Sequence, residues 1–134
     1  MRKVGLVLVF LFAFTAPLAA QTAVNPTKVE FTASSDHDVV VPDVGPVLTR
    51  YELRIYLDPT SVLPVTTYDL GKPAPVAGLV TASITSVLVG LPVNTRHVAR
   101  VAAIGPGGET ASEVSNPFAL IAAPGATGVP AIKK

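Results

Sequence analysis

The sequence predicts an all-β protein, built as an antiparallel β-sandwich of about seven short strands. First, apolar residues recur at every second position in several segments, which is the period of a strand and not of a helix. Second, 10 Gly and 13 Pro are spread over the 134 residues and separate those segments by turns. Third, only 14% of the residues are charged, too few for long solvated helices. No helix is predicted beyond residue 20.

The clearest strand is residues 49–57, TRYELRIYL, where apolar and polar side chains alternate. The residues predicted to face inward are Tyr51, Leu53, Ile55 and Leu57, and those predicted to face outward are Arg50, Glu52, Arg54 and Tyr56. A helical stripe with a period of about 3.6 residues does not produce this alternation.

Further strands are predicted at residues 28–33, 65–70, 79–89, 96–104 and 110–120. In the strand at 79–89, the residues predicted to share the inward face are Val80, Ala82, Ile84, Ser86 and Leu88. In the strand at 96–104, they are His97, Ala99, Val101 and Ala103. Asn116-Pro117 is expected to bend the last strand. Residues 34–47 are predicted as a long loop, or a loop with a short edge strand, and residues 105–108 as a tight loop.

Residues 1–20 have the order of a cleaved secretory signal peptide: a positive start, an apolar run, and small residues before Gln21. A retained membrane anchor is the alternative, although the apolar stretch is shorter than the ~20 residues that a span needs. The prediction is therefore a secreted or periplasmic protein. Residues 21–121 form its single domain, and residues 122–134 are predicted to be a flexible tail rich in Ala, Gly and Pro.

Charge and cysteine content exclude several classes of function. Without Arg2 and Lys3, the chain has 8 basic and 9 acidic residues, so the exported protein carries a net charge near −1. Such a chain has no electrostatic basis for binding nucleic acid or an anionic membrane. The sequence contains no Cys, which excludes disulfides and thiolate metal sites.

The C-terminal half carries a family resemblance. LPVNTRHVARVAA at residues 91–103, then GPGGE at 105–109, Ser112 and SNPF at 115–118, resemble the E–F corner, F strand, FG loop and G strand of fibronectin type III domains. YELRI at 51–55 and VEFTAS at 29–34 resemble the C and B strands of that family. The resemblance runs from about Val24 to Leu120 and implies an immunoglobulin-like sandwich.

Two positions depart from the family pattern. His97 stands where the family has a corner Tyr, and Phe31 stands where it has a Trp. We expect His97 to have a structural role, with its ring satisfied by one hydrogen bond. A catalytic or metal-binding role for His97 is the alternative.

The sequence offers few candidates for catalysis or metal binding. Asp36-His37-Asp38, with Asp43 nearby, is the only acidic cluster, and its spacing fits turn formation better than a cation site. No Ser lies in a nucleophile motif, and the Gly run at 105–108 lacks the residues of a phosphate loop. We therefore predict no catalytic residues, no metal and no cofactor.

A possible contact surface combines the outward face of the central strands with two loops. Arg54, Tyr56 and Arg100 are predicted on the face, although such a mixed stripe is also typical of the solvated side of a sheet. Asp36, His37 and Asp38 belong to the first loop, and Gly107 and Glu109 to the second. Strand addition at an exposed edge is a further possible mode of contact.

These observations predict a non-catalytic, exported module that binds a protein or a cell-surface component, or that serves as a spacer. A self-assembling structural surface protein is the alternative. An apolar patch around Val39-Val40-Val41 and Val62-Leu63 would favour it. An enzyme is the third class, and would need His37 or His97 beside a Ser and a carboxylate. The partner and the oligomeric state are not predicted.

Overall fold

The computed structural model describes residues 21–134, so the predicted signal peptide lies outside the described residues. The strands are β1 (Ala23–Val24), β2 (Lys28–Thr32), β3 (Val40–Val41), β4 (Gly45–Pro46), β5 (Arg50–Tyr56), β6 (Thr66–Gly71), β7 (Leu79–Ser83), β8 (Thr95–Gly105), β9 (Gly108–Ala111) and β10 (Phe118–Leu120). One helix of four residues, α1 (Thr85–Leu88), follows β7. The protein is therefore mostly β, as predicted.

The larger sheet has the strand order β1-β10-β8-β5-β6, and β9 pairs with the far part of β8. The long antiparallel ladder between β5 and β8 forms its centre. The pairing of β1 with β10 is parallel, which differs from the purely antiparallel expectation. The chain turns at Asn25, whose φ is +48°, and passes from β1 directly into the other sheet.

The second sheet contains β2 and β7, paired antiparallel, and β3 and β4 form a separate small ladder within residues 34–47. Val80 of β7 and Phe31 of β2 pack against Tyr51 of β5 and Val101 of β8. A second cluster joins Leu53 and other side chains of β5 to β2, α1, β8 and β10. The core consequently lies between two layers of strands.

The predicted strand at residues 79–89 is wrong beyond Ser83, where the chain forms α1 instead. Ile84 and Leu88 are both buried, and Val87 packs beside them. Residues three and four apart share one face of a helix, so one helical turn buries the same apolar side chains that a strand would have presented.

Strand β5 buries Tyr51, Leu53 and Ile55 as predicted. Leu57 lies beyond the end of the strand and is exposed, so its predicted inward orientation is wrong. Tyr56 was predicted to face outward as part of a contact surface, but only 7% of it is exposed. It lies directly opposite Val98, which is also buried, so these cross-strand neighbours form an apolar end to the outer face.

The last part of the domain is interrupted between β9 and β10, at the bend expected near Asn116-Pro117. In the gap, the Ser115 hydroxyl accepts a hydrogen bond from the Ala99 amide at 3.0 Å, and the Ser112 hydroxyl accepts one from the Val101 amide at 3.0 Å. The two serines therefore supply β8 with acceptors along the stretch of its β9/β10 edge where no strand is paired.

Residues 122–134 are exposed and contain no helix or strand. Their flexibility and the domain boundary at residue 121 stay predictions. Within residues 21–134, no helix has both the length and the apolar character needed to cross a lipid bilayer.

Candidate functional site

The two loops predicted to make contacts lie side by side at one end of the sheets and border a cleft of about 430 Å³. One wall comes from the start of the 34–47 loop together with Val47 and Leu48, and the other from the turn between β8 and β9. Asp36 and Glu109 both line the cleft, so it carries acidic groups on its two sides. The structure thus brings the two predicted loops together in one concave surface.

Gly105 allows the two walls to meet. A Cβ atom at this position would lie 1.8 Å from the carbonyl oxygen of Val47, closer than any non-bonded contact permits. The amide and the hydroxyl of Thr49 both donate to the carbonyl oxygen of Ile104, at 2.8 Å and 2.9 Å. The base of the cleft is therefore a backbone-to-backbone contact that only Gly can make.

A buried pair of side chains anchors the 34–47 loop to the core. The Nδ1 atom of His37 lies 2.8 Å from the Tyr51 hydroxyl, and the Ser34 amide donates to that hydroxyl at 3.0 Å. The rings of His37 and Tyr51 stack at 5.7 Å. Only 7% of His37 is exposed, so its predicted place on the contact surface is wrong. The sequence showed Tyr51 as an inward residue but gave no sign of its hydroxyl's partner.

The other predicted loop residues are exposed: Asp36, Asp38, Gly107 and Glu109. The Asp36 amide donates to the Ser34 hydroxyl oxygen at 3.1 Å, which is the turn geometry expected for this loop. Within residues 21–134, no three His, Cys, Asp or Glu side chains are grouped as a metal site would need.

A chain of ion pairs crosses the outer face of β5 and reaches the cleft. Arg54 donates to Glu52 at 2.8 Å and to Glu109 at 2.5 Å, and Arg50 donates to Glu52 at 3.2 Å. The hydrogen bond from Arg54 holds the pKa of the Glu52 carboxyl below its usual value, against the opposing effect of burial. Bonds to Glu109 and Glu52 raise the pKa of Arg54. Arg54 is thus a paired group that also orients a carboxylate of the cleft.

Arg100 lies opposite Arg54 across the β5–β8 ladder. Its guanidinium donates to the carbonyl oxygen of Ser112 at 2.7 Å. It therefore covers the gap between β9 and β10, away from the cleft.

His97 lies far from this cleft, in the core beneath the turn that precedes β8. It has 0% exposure and stacks on Phe118 at 5.7 Å. Neither ring nitrogen has a hydrogen-bond partner among residues 21–134, so the expected single hydrogen bond is wrong. An adjoining cavity of about 300 Å³, lined by apolar residues such as Leu91 and Val87, offers the ring no polar group except at Thr66 and backbone.

Comparisons of the chain with protein-family models, with curated proteins and with solved structures give no match. The functional argument therefore depends on the geometry described above.

Proposed function

We propose that this protein is an exported, non-catalytic binding module or spacer with an immunoglobulin-like sandwich of the fibronectin type III kind. The order of the larger sheet, with β10, β8, β5 and β6 as neighbours, supports this proposal. The separate pairing of β2 with β7 supports it as well, because β2 stands where the resemblance has its B strand and β7 precedes the segment that resembles the E–F corner. The partner is a protein or a cell-surface component.

The observation that carries the binding proposal is the cleft between the two loops. Its base is held by the Gly105–Val47 contact and its first wall by the His37–Tyr51 pair, so the surface is organised before a partner arrives. Loops held on a rigid sheet are the usual place for recognition. Asp36 lines the cleft, and Asp38 is exposed two residues further along the same loop, whereas Glu109 on the other wall is paired with Arg54. The two aspartates favour a partner with basic or hydrogen-bond-donating groups.

Site-specific photo-crosslinking tests this proposal. A photo-reactive residue at Gly107, on the rim, is expected to capture a defined species from the native cell-envelope fraction. The same residue at Val93, which is exposed at the opposite end of β8, is expected to capture nothing specific. Equal capture at both positions, or capture at Val93 alone, would contradict the proposal. An Asp36→Asn, Asp38→Asn double variant is expected to weaken the crosslink at Gly107.

Self-assembly is a second candidate, favoured by exposed apolar side chains at both ends of β5. Val40 and Val44 lie in the loop before β5, and Val62 and Leu63 lie in the loop after it. They do not form one patch, but two patches at opposite ends suit head-to-tail contacts between copies. Sedimentation at increasing concentration should then show growing assemblies that Leu63→Lys abolishes. A monomer at every concentration would reject this candidate.

A further inference from the structure

One edge of the smaller sheet has no partner strand among residues 21–134. Strand β2 pairs with β7 only, and flanking backbone bonds run from the Ala33 amide to Gly78 and from the Ile84 amide to Thr27. Antiparallel ladders alternate, so the odd-numbered residues of β2 bond to β7. The backbone groups of the even-numbered residues therefore point away from β7 along an open edge, and these residues are Lys28, Glu30 and Thr32.

The two faces of this edge differ in character. Lys28 and Glu30 are exposed on the outer face, whereas Val29 between them is half-buried and borders an opening of about 150 Å³ into the core. A second opening of about 340 Å³ continues along the strand beside Phe31. The edge thus has a charged outer side and an apolar inner side that the described residues leave open.

The backbone limits how a second copy of β2 can add to this edge as an antiparallel strand. The free amides and carbonyls belong to even-numbered residues, so an even-numbered residue of one copy must lie opposite an even-numbered residue of the other. Because side chains alternate along a strand, the same condition keeps the charged side chains of both copies on the outer face. Hydrogen bonding and burial therefore allow the same set of registers.

Charge selects one register from this set. With Lys28 opposite Glu30 of the second copy, the two-fold axis passes through Val29 and the same unlike pair forms twice. The two neighbouring registers place Lys28 opposite Lys28 or Glu30 opposite Glu30 on the axis, and like charges directly opposite each other destabilise a strand pair. An edge with a single sign of charge would repel its own copy, whereas this edge attracts it in one register.

We propose that two copies of this protein associate through their β2 edges into a closed dimer, with a continuous sheet in the order β7-β2-β2-β7. Lys28 of each copy exchanges backbone hydrogen bonds with Glu30 of the other, and their side chains pair on the outer face. The two Val29 side chains meet on the axis at the inner face, beside the 150 Å³ opening. Every contact off the axis occurs twice, because a two-fold interface uses the same surface of both copies.

The edge itself favours a second copy over other occupants. A partner strand needs an acidic residue opposite Lys28, a basic residue opposite Glu30 and an apolar residue between them, and Lys28-Val29-Glu30 supplies these in the antiparallel order. In a second copy, this segment is already extended and held by β7, so its pairing costs less conformational entropy than that of a flexible peptide. The chain's own residues 122–134 contain no acidic residue to face Lys28.

The opposite edge of the sheet, along β7, lacks these features. Its free backbone groups belong to Leu79, Thr81 and Ser83, which carry no charge that could select a register. The backbone groups of Leu79 are already bonded to Val76. Strand β7 therefore provides a matched control for tests on β2.

This inference goes beyond the proposed functions and uses a separate surface. No residue of β2 or β7 lines the loop cleft, so crosslinking at Gly107 remains an independent test of that cleft. Head-to-tail assembly through Leu63 grows with concentration, whereas pairing through β2 closes at two copies. Leu63→Lys should therefore leave the dimer intact.

The first test measures dimerisation by sedimentation equilibrium at low ionic strength, where the wild-type protein is expected to form dimers and nothing larger. Lys28→Glu and Glu30→Lys each place like charges opposite each other twice, and each should raise the dimer Kd by about tenfold. An equimolar mixture of the two variants restores both unlike pairs and should dimerise like the wild type. A mixture that dimerises no better than either variant alone would overturn the proposal.

The second test uses single cysteine variants, since the chain has no Cys of its own. Val29→Cys places two thiols on the axis in a non-hydrogen-bonded pair, with Cα atoms about 4.5 Å apart, a separation that a disulfide spans. It should crosslink readily under mild oxidation. In Glu30→Cys the thiols are diagonal neighbours at about 7–8 Å and should crosslink much more slowly. Thr81→Cys, on the free edge of β7, is the control and should stay monomeric on a denaturing gel.

Thermal melts establish that each cysteine variant folds. Faster crosslinking of Glu30→Cys or Thr81→Cys than of Val29→Cys would overturn the proposal. A wild-type protein that stays monomeric up to millimolar concentration would also overturn it. In that case, dimerisation of a variant without residues 122–134 would identify the tail as the occupant of the edge.

Discussion

The two histidines of this chain are both buried but have opposite environments. His37 reaches the Tyr51 hydroxyl at 2.8 Å, and the pair holds a loop against the core. His97 has no partner for either ring nitrogen among the described residues. A buried polar group without a hydrogen bond costs free energy, whereas one with a partner contributes to stability. The same residue type therefore predicts opposite mutational effects at the two positions.

Replacing His97 by Phe keeps a ring against Phe118 and removes both unpartnered nitrogens. The adjoining cavity leaves room for the slightly larger ring. We expect the free energy of unfolding, measured by urea denaturation, to rise by about 1–2 kcal/mol. The matched variant His37→Phe should lower it by about 1 kcal/mol, because Tyr51 loses its partner. A loss of stability in His97→Phe would show that its nitrogens are satisfied in solution.

Glu52 makes a pH-dependent contribution to the free energy of unfolding, and the direction of its lowered pKa gives the sign. Its folded-state pKa is lowered, chiefly by the hydrogen bond from Arg54, so the ionised form stabilises the fold. This contribution is complete above the unfolded pKa and is lost as the pH falls through the lowered folded value. We expect Glu52→Gln to cost about 0.5–1 kcal/mol at neutral pH. The stabilities of the two proteins should converge as the pH falls below the ordinary pKa of a Glu carboxyl, and a constant difference would contradict this account.

At the scale of elements, an alternation of apolar and polar residues predicts a strand correctly where one face of that strand is buried. Strands β2, β5 and β8 lie where the alternation predicts them. The error at α1 has a physical cause, because Ile84 and Leu88 are four apart, a spacing that a strand and a helix both place on one face. The sequence predicts only a bend before β10. The hydrogen bonds of Ser112 and Ser115 join them to amides of β8, and the sequence around the two serines does not indicate these partners.

Ser115 tests the role of the hydroxyls in that interruption. Ser115→Ala leaves the Ala99 amide without its side-chain acceptor in a partly buried position. The free energy of unfolding should fall by about 1–2 kcal/mol, and hydrogen exchange of the Ala99 amide should accelerate. Ser35→Ala, at an exposed position in the 34–47 loop, is the control and should change stability little. Unchanged exchange at Ala99 would refute the assignment.

Gly105 tests the contact between the two loops. Gly105→Ala puts a methyl group against the Val47 carbonyl, so the backbone must separate. We expect a loss of about 1–3 kcal/mol in the free energy of unfolding, together with amide shifts in both loops. Gly107→Ala, in open space, is the control. Equal effects of the two substitutions would contradict the close approach.

For the whole molecule, the sequence predicted an all-β protein with apolar faces directed to a common core, and the structure has these features. The candidate site was predictable only as two loops. The base of the cleft joins Val47 to Gly105, and the hydrogen bond that holds the first loop joins His37 to Tyr51. No local sequence pattern indicates contacts between residues so far apart in the chain. The burial of Tyr56 likewise depends on Val98 across the ladder, so alternation along one strand could not reveal it.

The two-layer arrangement predicts a gradient of local stability. Strands β5 and β8 have a hydrogen-bonded neighbour on each edge within the larger sheet and bury one face in the core, whereas β3 and β4 form an isolated pair of two-residue strands. Native-state hydrogen exchange should therefore be slowest in β5 and β8 and fastest in β3 and β4. Protection of β3 and β4 equal to that of β5 would contradict this ranking.

The parallel pairing of β1 with β10 determines how the domain bears a mechanical load. The Asn116 amide side chain donates to the Gln21 carbonyl at 3.2 Å, and the Ile121 amide donates to the Asn25 side chain at 2.9 Å, so both chain ends leave from this one seam. Tension on the two termini would draw β1 and β10 in opposite directions along their common axis. The seam's bonds would then be sheared together instead of being opened singly.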